Sequence, residues 1–292
     1  MTSDEFAPGS LAEVPRETNV HSVDTRSRAG QSVVPKSGRR RSTAGRLTRN
    51  IVPGVHKLEH AYVNCYLLEG RGGVTIVDAA FPGTWPLILS ALLAIGRRPA
   101  DVAAIVLTHA HFDHLGFAAR AAREWGVPVF VHRLDQFIAA HPYRYTHERA
   151  RALYPLKHPR SVPILAAMTA VGALRVEGMS SLAFFEPGDT LDLPGQPQVL
   201  FTPGHTFGHS SLHLPDASTI ITGDALVTMD PYTGHRGPQI VAGAATADSS
   251  QALDSLNTLA ETNARIVLPG HGEPWKFGIR RAVEKALQRG PS

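Results

Sequence analysis

An α/β fold is what this 292-residue sequence predicts, and three observations predict it. Short apolar runs rich in β-branched residues, at 74–78, 104–107 and 127–131, alternate with helical segments at 85–95 and 116–123. Several of these runs end directly in turns that carry histidine or aspartate, which is where open α/β sheets place their sites. The composition, 43% hydrophobic and 18% charged, is that of an ordinary globular chain long enough to bury a sizeable core.

The formal charge of +4 is unevenly spread. The first 50 residues hold nine of the 29 basic and five of the 25 acidic side chains, so twenty of each remain and the body is neutral. A neutral body offers no global field for nucleic acid, which is not expected as a partner. Residues 1–48 are rich in Ser, Thr, Arg, Pro and Gly without apolar periodicity and read as a disordered basic tail. Within it, Gly38-Arg39-Arg40-Arg41-Ser42 either touches an acidic surface or is simply solvated; the solvated reading is favoured. No apolar core follows Arg41, as a signal peptide would require, and no run reaches the ~18–20 residues that span a bilayer. A single cysteine excludes an intramolecular disulfide. A cytoplasmic chain without membrane partners is expected.

The folded domain is read over 49–292, with its first recognisable strand pair at 62–68 and 74–78 across the turn Gly70-Arg71-Gly72-Gly73. Cys65, mid-strand, reads as a small buried hydrophobe. Asp78, at a strand end, is either a carboxylate behind a metal site or a cap. A helix at 85–95 closes on Gly96. The strand 104–107 then runs into Thr108-His109-Ala110-His111-Phe112-Asp113-His114-Leu115-Gly116, which holds four potential metal ligands in six residues, and an alanine-rich helix follows. Residues 133–185 differ in character: Tyr143, Tyr145, His147, Arg149, Arg151 and Tyr154 precede an Ala/Met/Val segment, and the stretch reads as a helical insertion over the site. Most of these side chains are expected to pack the insertion onto the core, with Met168 and Met179 as core residues and Tyr143 as a candidate substrate contact.

Strands return at 190–193, 199–202, 211–214 and 219–222, then a helix at 249–262, a strand at 265–268 and a last helix from about 275 to 288. Three turns matter here. Thr202-Pro203-Gly204-His205-Thr206, Thr222-Gly223-Asp224 and Pro269-Gly270-His271-Gly272 each place a potential ligand just after an apolar run. Imidazole nitrogens and carboxylate oxygens that converge on one point form a divalent-cation site.

Taken together, His109, His111, Asp113, His114, His205, Asp224 and His271 resemble the ligand series of the metallo-β-lactamase superfamily, and the resemblance runs from about residue 51 to the last helix. It implies an αββα sandwich of two facing mixed sheets with helices outside and metals at one sheet edge. It also implies one metal on His109, His111 and His205, a second on Asp113, His114 and His271, and Asp224 bridging them together with a water or hydroxide. Nitrogen-rich sites with carboxylates suit two zinc ions, with iron or manganese as alternatives in the family. The catalytic residues would be Asp224 and Asp113, the latter orienting the nucleophile and taking its proton. The cysteine that some lactamases carry at the place of Asp224 is absent.

His209, four residues after His205, is expected to support the ligands rather than join them. Tyr232, His235 and Arg236 follow Asp224 in a Gly- and Pro-containing loop and are candidate substrate contacts. The resemblance implies a hydrolase that uses a metal-bridging hydroxide to cleave a small ester, thioester or lactone. Glyoxalase II enzymes share the motifs but carry a sizeable helical domain where about twenty residues follow His271 here. Quorum-quenching lactonases tend to place tyrosine where this chain has Val227. The alternatives are an oxidoreductase resembling the mononuclear-iron persulfide dioxygenases and, more weakly, a nuclease or nucleic-acid binder acting through the Arg-rich tail.

Overall fold

A computed structural model describes residues 44–151 and 154–292. The expected tail therefore lies outside the described residues except for its last few. Among the described residues the first sheet has seven strands in sequential order: β1 (Arg46–Val52), β2 (Val55–His60), β3 (Val63–Gly70), β4 (Gly73–Val77), β5 (Val102–Val106), β6 (Val129–His132) and β7 (Ala183–Phe185). The first four pair antiparallel and β4 to β7 pair parallel, so the sheet is mixed. Its parallel half needs crossovers. Helix α1 (Trp85–Ala94) connects β4 to β5, and α2 (Phe112–Leu115) with α3 (Ala118–Trp125) connects β5 to β6. The crossover to β7 holds α4 (Gln136–Ala140), α5 (Tyr154–Lys157) and α6 (Val162–Ala170).

The second sheet has the order β13-β10-β9-β8, with β8 (Gln198–Phe201), β9 (Ser210–Leu214), β10 (Thr219–Gly223) and β13 (Ile266–Pro269). A separate hairpin joins β11 (Val227–Met229) to β12 (Arg236–Gln239). Helix α7 (Ser249–Glu261) crosses from this hairpin to β13, and α8 (Ile279–Arg289) follows.

Alternation along the strands builds the layers. Tyr66 and Leu68 of β3 point into a core shared with Leu212, Ile221 and Leu268 of the second sheet. Their neighbours Cys65 and Leu67 point the other way, against Ile88 and Leu92 of α1 and Ala118 of α3. In the second sheet Ile220 and Val267 face Leu256, Leu259 and Val283 of α7 and α8. Strands buried on both faces read as continuous apolar runs, which is why the sequence shows runs rather than polar alternation. Helix, sheet, sheet, helix is the sandwich that the resemblance implies.

Several boundaries differ. The domain opens at β1, three residues before 49, and β1, β2, β11 and β12 form where the sequence predicts no strand. Residues 190–193 contribute only an isolated bridge, Thr190 to Gln198. The last helix starts at Ile279, because Trp275 pairs with Val267 in a bridge of its own. The stretch 133–185 is helical only until its end, where β7 extends the first sheet. Its Ile164, Ala167 and Met168 pack into the helical layer over the first sheet.

Candidate metal centre

The seven candidate ligands all follow strand ends, five on turns and loops and two, Asp113 and His114, on the short helix α2. His109, His111, Asp113 and His114 follow β5; His205 follows β8, Asp224 follows β10, and His271 follows β13. The four strand ends point to one place. His109, His111 and His205 form one group with ligand atoms within 4.8 Å of one another, His109, His114 and Asp224 a second, and Asp113, His114 and His271 a third. Asp224 stands between them, 3.5 Å from His114 Nε2, 3.5 Å from His205 Nε2 and 3.2 Å from His271 Nε2. All seven are buried.

What lies behind the rings fixes which nitrogen faces inward. His114 Nδ1 donates to Asp78 Oδ2 at 2.9 Å, and His271 Nδ1 donates to the Tyr62 carbonyl at 2.9 Å. His109 Nδ1 meets the Thr108 hydroxyl at 3.1 Å, while that hydroxyl donates to Asp78. His205 Nδ1 meets the Thr246 hydroxyl at 3.3 Å, which in turn donates to the Val241 carbonyl. In His109, His114 and His271 this leaves Nε2 to the interior, while His205 Nε2 lies 2.9 Å from His111 Nδ1 and leaves His111 Nε2 free among the described residues. Among the described residues, Nε2 of His109, His114 and His271 and Oδ1 of Asp224 are buried without a hydrogen-bond partner. Both sequence readings of Asp78 hold in part: it closes the β4 end and braces His114, with its backbone in the left-handed region at φ 62°. Tyr62, at φ 69°, is also left-handed, and its carbonyl is the one that holds His271. Non-glycine residues in this region cost about 1–3 kcal/mol each and persist where surroundings over-determine them.

Electrostatics shows what the cluster lacks. Burial holds His109 and His111 well below the ordinary histidine range and brings His205 down to about 3, so these rings are neutral and carry lone pairs. Burial alone would also lower His114, but the Asp78 and Asp224 carboxylates hold it up to about 9. His271 is likewise raised against its burial by Asp224 and Asp113. Asp224 is far below the ordinary carboxylate range despite burial, because His271, His114 and His205 surround it. Lone pairs and carboxylates facing one another at 3.2–3.5 Å demand positive charge. A proton on a ring supplies some; cations supply it for the whole set, and the donors fit them.

Space is shaped to the same end. A Cβ on Gly270 would collide with Asp224 Oδ1, and one on Gly223, whose φ is +49°, would lie 2.6 Å from Thr108 Oγ1 and 2.8 Å from His209 Nε2. His209 accepts the Asp224 backbone N–H at 3.0 Å and meets Thr202 Oγ1 at 2.9 Å. It supports the ligand turn from behind, as expected. Asp135, which the sequence does not single out, accepts from Ala110 N, Thr206 Oγ1 and Gly208 N, and so ties the His109–His111 loop to the His205 turn.

The candidate substrate contacts fare unequally. Tyr143 lines a cleft beside the ligands, but its hydroxyl donates to the Ala173 carbonyl and accepts from Val176 N. Tyr232 packs against Tyr145 next to the ligand loops. His235 instead meets the Arg289 side chain of α8, and Arg236 is exposed on β12. Neither lines the cleft. The residue missed is Tyr145, whose ring lies 3.8 Å from that of His111 and is capped by the Arg151 guanidinium at 4.0 Å. Nothing local to its sequence marks it, since its place depends on the insertion folding back.

The chain belongs to the metallo-β-lactamase superfamily, whose sequence model matches residues 59–271. A probable metallo-hydrolase of Bacillus subtilis is 27% identical over 236 residues, covering 76% of this chain and 84% of the relative. An N-acyl homoserine lactonase of Bacillus thuringiensis is also 27% identical, covering 76% and 84%. Among solved structures, a metallo-beta-lactamase family protein of Thermus thermophilus superposes with a TM-score of 0.60 at 26% identity, covering 82% of this chain and 79% of the other. Another, crystallised in a di-iron-bound form, gives 0.54 at 27%, covering 75% and 92%.

Proposed function

We infer that this chain is a hydrolase of a small ester, thioester or lactone that works with two divalent cations. The observation that carries the reading is the convergence of five imidazoles and two carboxylates, among which Nε2 of His109, His111, His114 and His271 and Oδ1 of Asp224 are buried without a hydrogen-bond partner among the described residues. His109, His111 and His205 would hold one cation, Asp113, His114 and His271 the other, with Asp224 shared. When bound, such a pair supplies an activated water near neutral pH and polarises the scissile carbonyl.

The chain's own residues do the rest. Asp78, Thr108, Thr246 and the Tyr62 carbonyl keep the imidazoles in the tautomers that present Nε2. Asp113 Oδ2 lies 3.4 Å from His271 Nε2 at the edge of the cluster, where it can orient the nucleophile and take up its proton. Its carboxyl stays below the ordinary range in spite of burial because the His271 and His114 imidazoles beside it favour the charged form, so it is an ionised acceptor at neutral pH. The nitrogen-rich donor set favours zinc; the di-iron relative supports iron as the second choice. The lactonase likeness supports a cyclic ester among the substrates. No helix of the described residues is long and apolar enough to cross a membrane.

Elemental mass spectrometry on protein purified without added metal, together with a panel of esters, thioesters and lactones, tests the reading. About two zinc ions per chain with hydrolysis of one class supports it. A single iron per chain with oxygen consumption and no hydrolysis overturns it in favour of the persulfide-dioxygenase-like alternative.

A further inference from the structure

A cleft of about 690 Å³ opens between the stretch 134–151 and the His205 turn, and its lining has two chemistries. One is apolar. Leu134, Phe137, Tyr143 and Phe207 are among the large hydrophobic side chains most exposed to solvent, at 58%, 59%, 42% and 46%, and all four line this one cleft together with Ile138. Single exposed hydrophobics need no explanation, whereas four gathered on one concave surface mark a binding site. The other is cationic. Arg144, His147 and Arg151 line the cleft, and among the described residues no carboxylate does.

The missing acids are accounted for. The stretch 133–151 contains two, Asp135 and Glu148. Asp135 is buried among Ala110 N, Thr206 Oγ1 and Gly208 N. Glu148 is bound to the backbone and hydroxyl of Ser249 at the start of α7. Both point their charge into other elements and leave the arginines uncompensated towards the cleft. Arg151 is held in place, with its guanidinium over Tyr145 and its Nε buried without a hydrogen-bond partner among the described residues.

The cleft neighbours the candidate metal centre through two of its lining residues: Tyr145 packs on His111, and Phe207 is two residues after His205.

We propose that this cleft binds the distal part of an anionic amphiphile, so that the substrate carries an apolar chain and a carboxylate, sulfonate or phosphate group beyond the bond that is cleaved. The apolar chain lies along Leu134, Phe137, Ile138 and Phe207, and the anion meets Arg144 and Arg151. This specificity rests on the hydrolase reading above, but the binding it requires does not.

Calorimetric titration of the intact, metal-loaded protein with octanesulfonate and, separately, 1-octanol therefore tests it directly. The sulfonate is expected to bind at least roughly tenfold tighter than the alcohol, the scale of one charge-assisted hydrogen bond. Arg151→Gln and, independently, the exposed Arg144→Gln should each erase most of that preference, and added salt should weaken it. Phe137→Asp should weaken both ligands. Equal affinity for the two probes, no binding of either, or a preference untouched by both arginine substitutions overturns the proposal. Hydrolysis of 4-nitrophenyl hexanoate and of the mono-4-nitrophenyl ester of adipic acid is measured alongside. Selective sulfonate binding without hydrolysis of these esters or of any ester, thioester or lactone in the panel above would sink the hydrolase reading and leave the anionic cleft standing. Hydrolysis of both esters alike, with no arginine dependence, would do the reverse.

Discussion

The ligand loops and the cleft wall lie side by side and differ in how their side chains are presented. The ligand turns are tied down by directional hydrogen bonds to buried groups: His114 to Asp78, His205 to Thr246, the Asp224 backbone N–H to His209. The wall from 134 to 151 is anchored by hydrogen bonds at Asp135, Tyr143 and Glu148, but beside the ligands it meets them through ring packing, with Tyr145 on His111 and Tyr143 on Phe112, and it leaves Leu134, Phe137 and Tyr143 exposed to solvent. Directional bonds fix atoms to within a few tenths of an ångström, as a cation demands; packed rings tolerate shape change, as a binding surface does. The two regions thus present their side chains differently: the ligands buried and braced from behind, the wall's apolar groups open to solvent.

The contrast can be broken first at its most rigid point. Asp224→Ala removes the carboxylate shared by three imidazoles and should abolish metal retention, with hydrolysis falling on the order of 10³-fold. Unchanged metal content by elemental analysis would mean the cluster does not work as one unit. Next comes Asp135, the one side chain that belongs to both regions. Burial raises its carboxyl to about 6, above the ordinary value near 3.9, so the folded chain holds this proton more tightly than the unfolded chain. Its ionisation therefore costs stability progressively as pH rises from about 4 to about 6, reaching on the order of 3 kcal/mol. Urea unfolding of wild type and Asp135→Asn across that window should show wild type losing ground as pH rises; parallel curves would disprove the buried charge.

Asp78→Asn keeps the shape behind His114 but removes the charge, and metal affinity by chelator competition should fall about 10–100-fold. The smallest effect belongs to the wall. Phe137→Ala, 59% exposed, should shift unfolding by no more than about 0.5 kcal/mol and leave metal content intact. A larger loss would mean the wall is structural after all and would erase the distinction.

How far the sequence can be read follows the same division. His205, Asp224 and His271 stand on Pro-Gly or Gly turns after apolar runs, and together with the His109–His114 motif they carry the resemblance that implies one shared site. Their juxtaposition is legible for that reason. Tyr145 reads only as one aromatic among several, because its contact with His111 is set by packing across 34 positions rather than by local pattern. Strand β2, Val-His-Lys-Leu-Glu-His, hides for another reason: Lys57 is 1% exposed and reaches Glu59 and Glu273, each at 3.1 Å. A buried charge with two partners looks polar in any hydropathy reading. At 190–193 the apolar alternation is genuine, but only a single bridge forms there.

The seven ligand positions divide four and three between the two sheets, with His109, His111, Asp113 and His114 contributed by the first and His205, Asp224 and His271 by the second. Whatever cation they share is therefore also a rivet through the sandwich. A nascent chain cannot offer the full seven-ligand set until His271, after β13, has been made and docked, so a cation held by the whole set would stabilise the completed sandwich most. Scarcity of metal would then be felt as loosened layers and shortened protein lifetime, and not only as lost turnover.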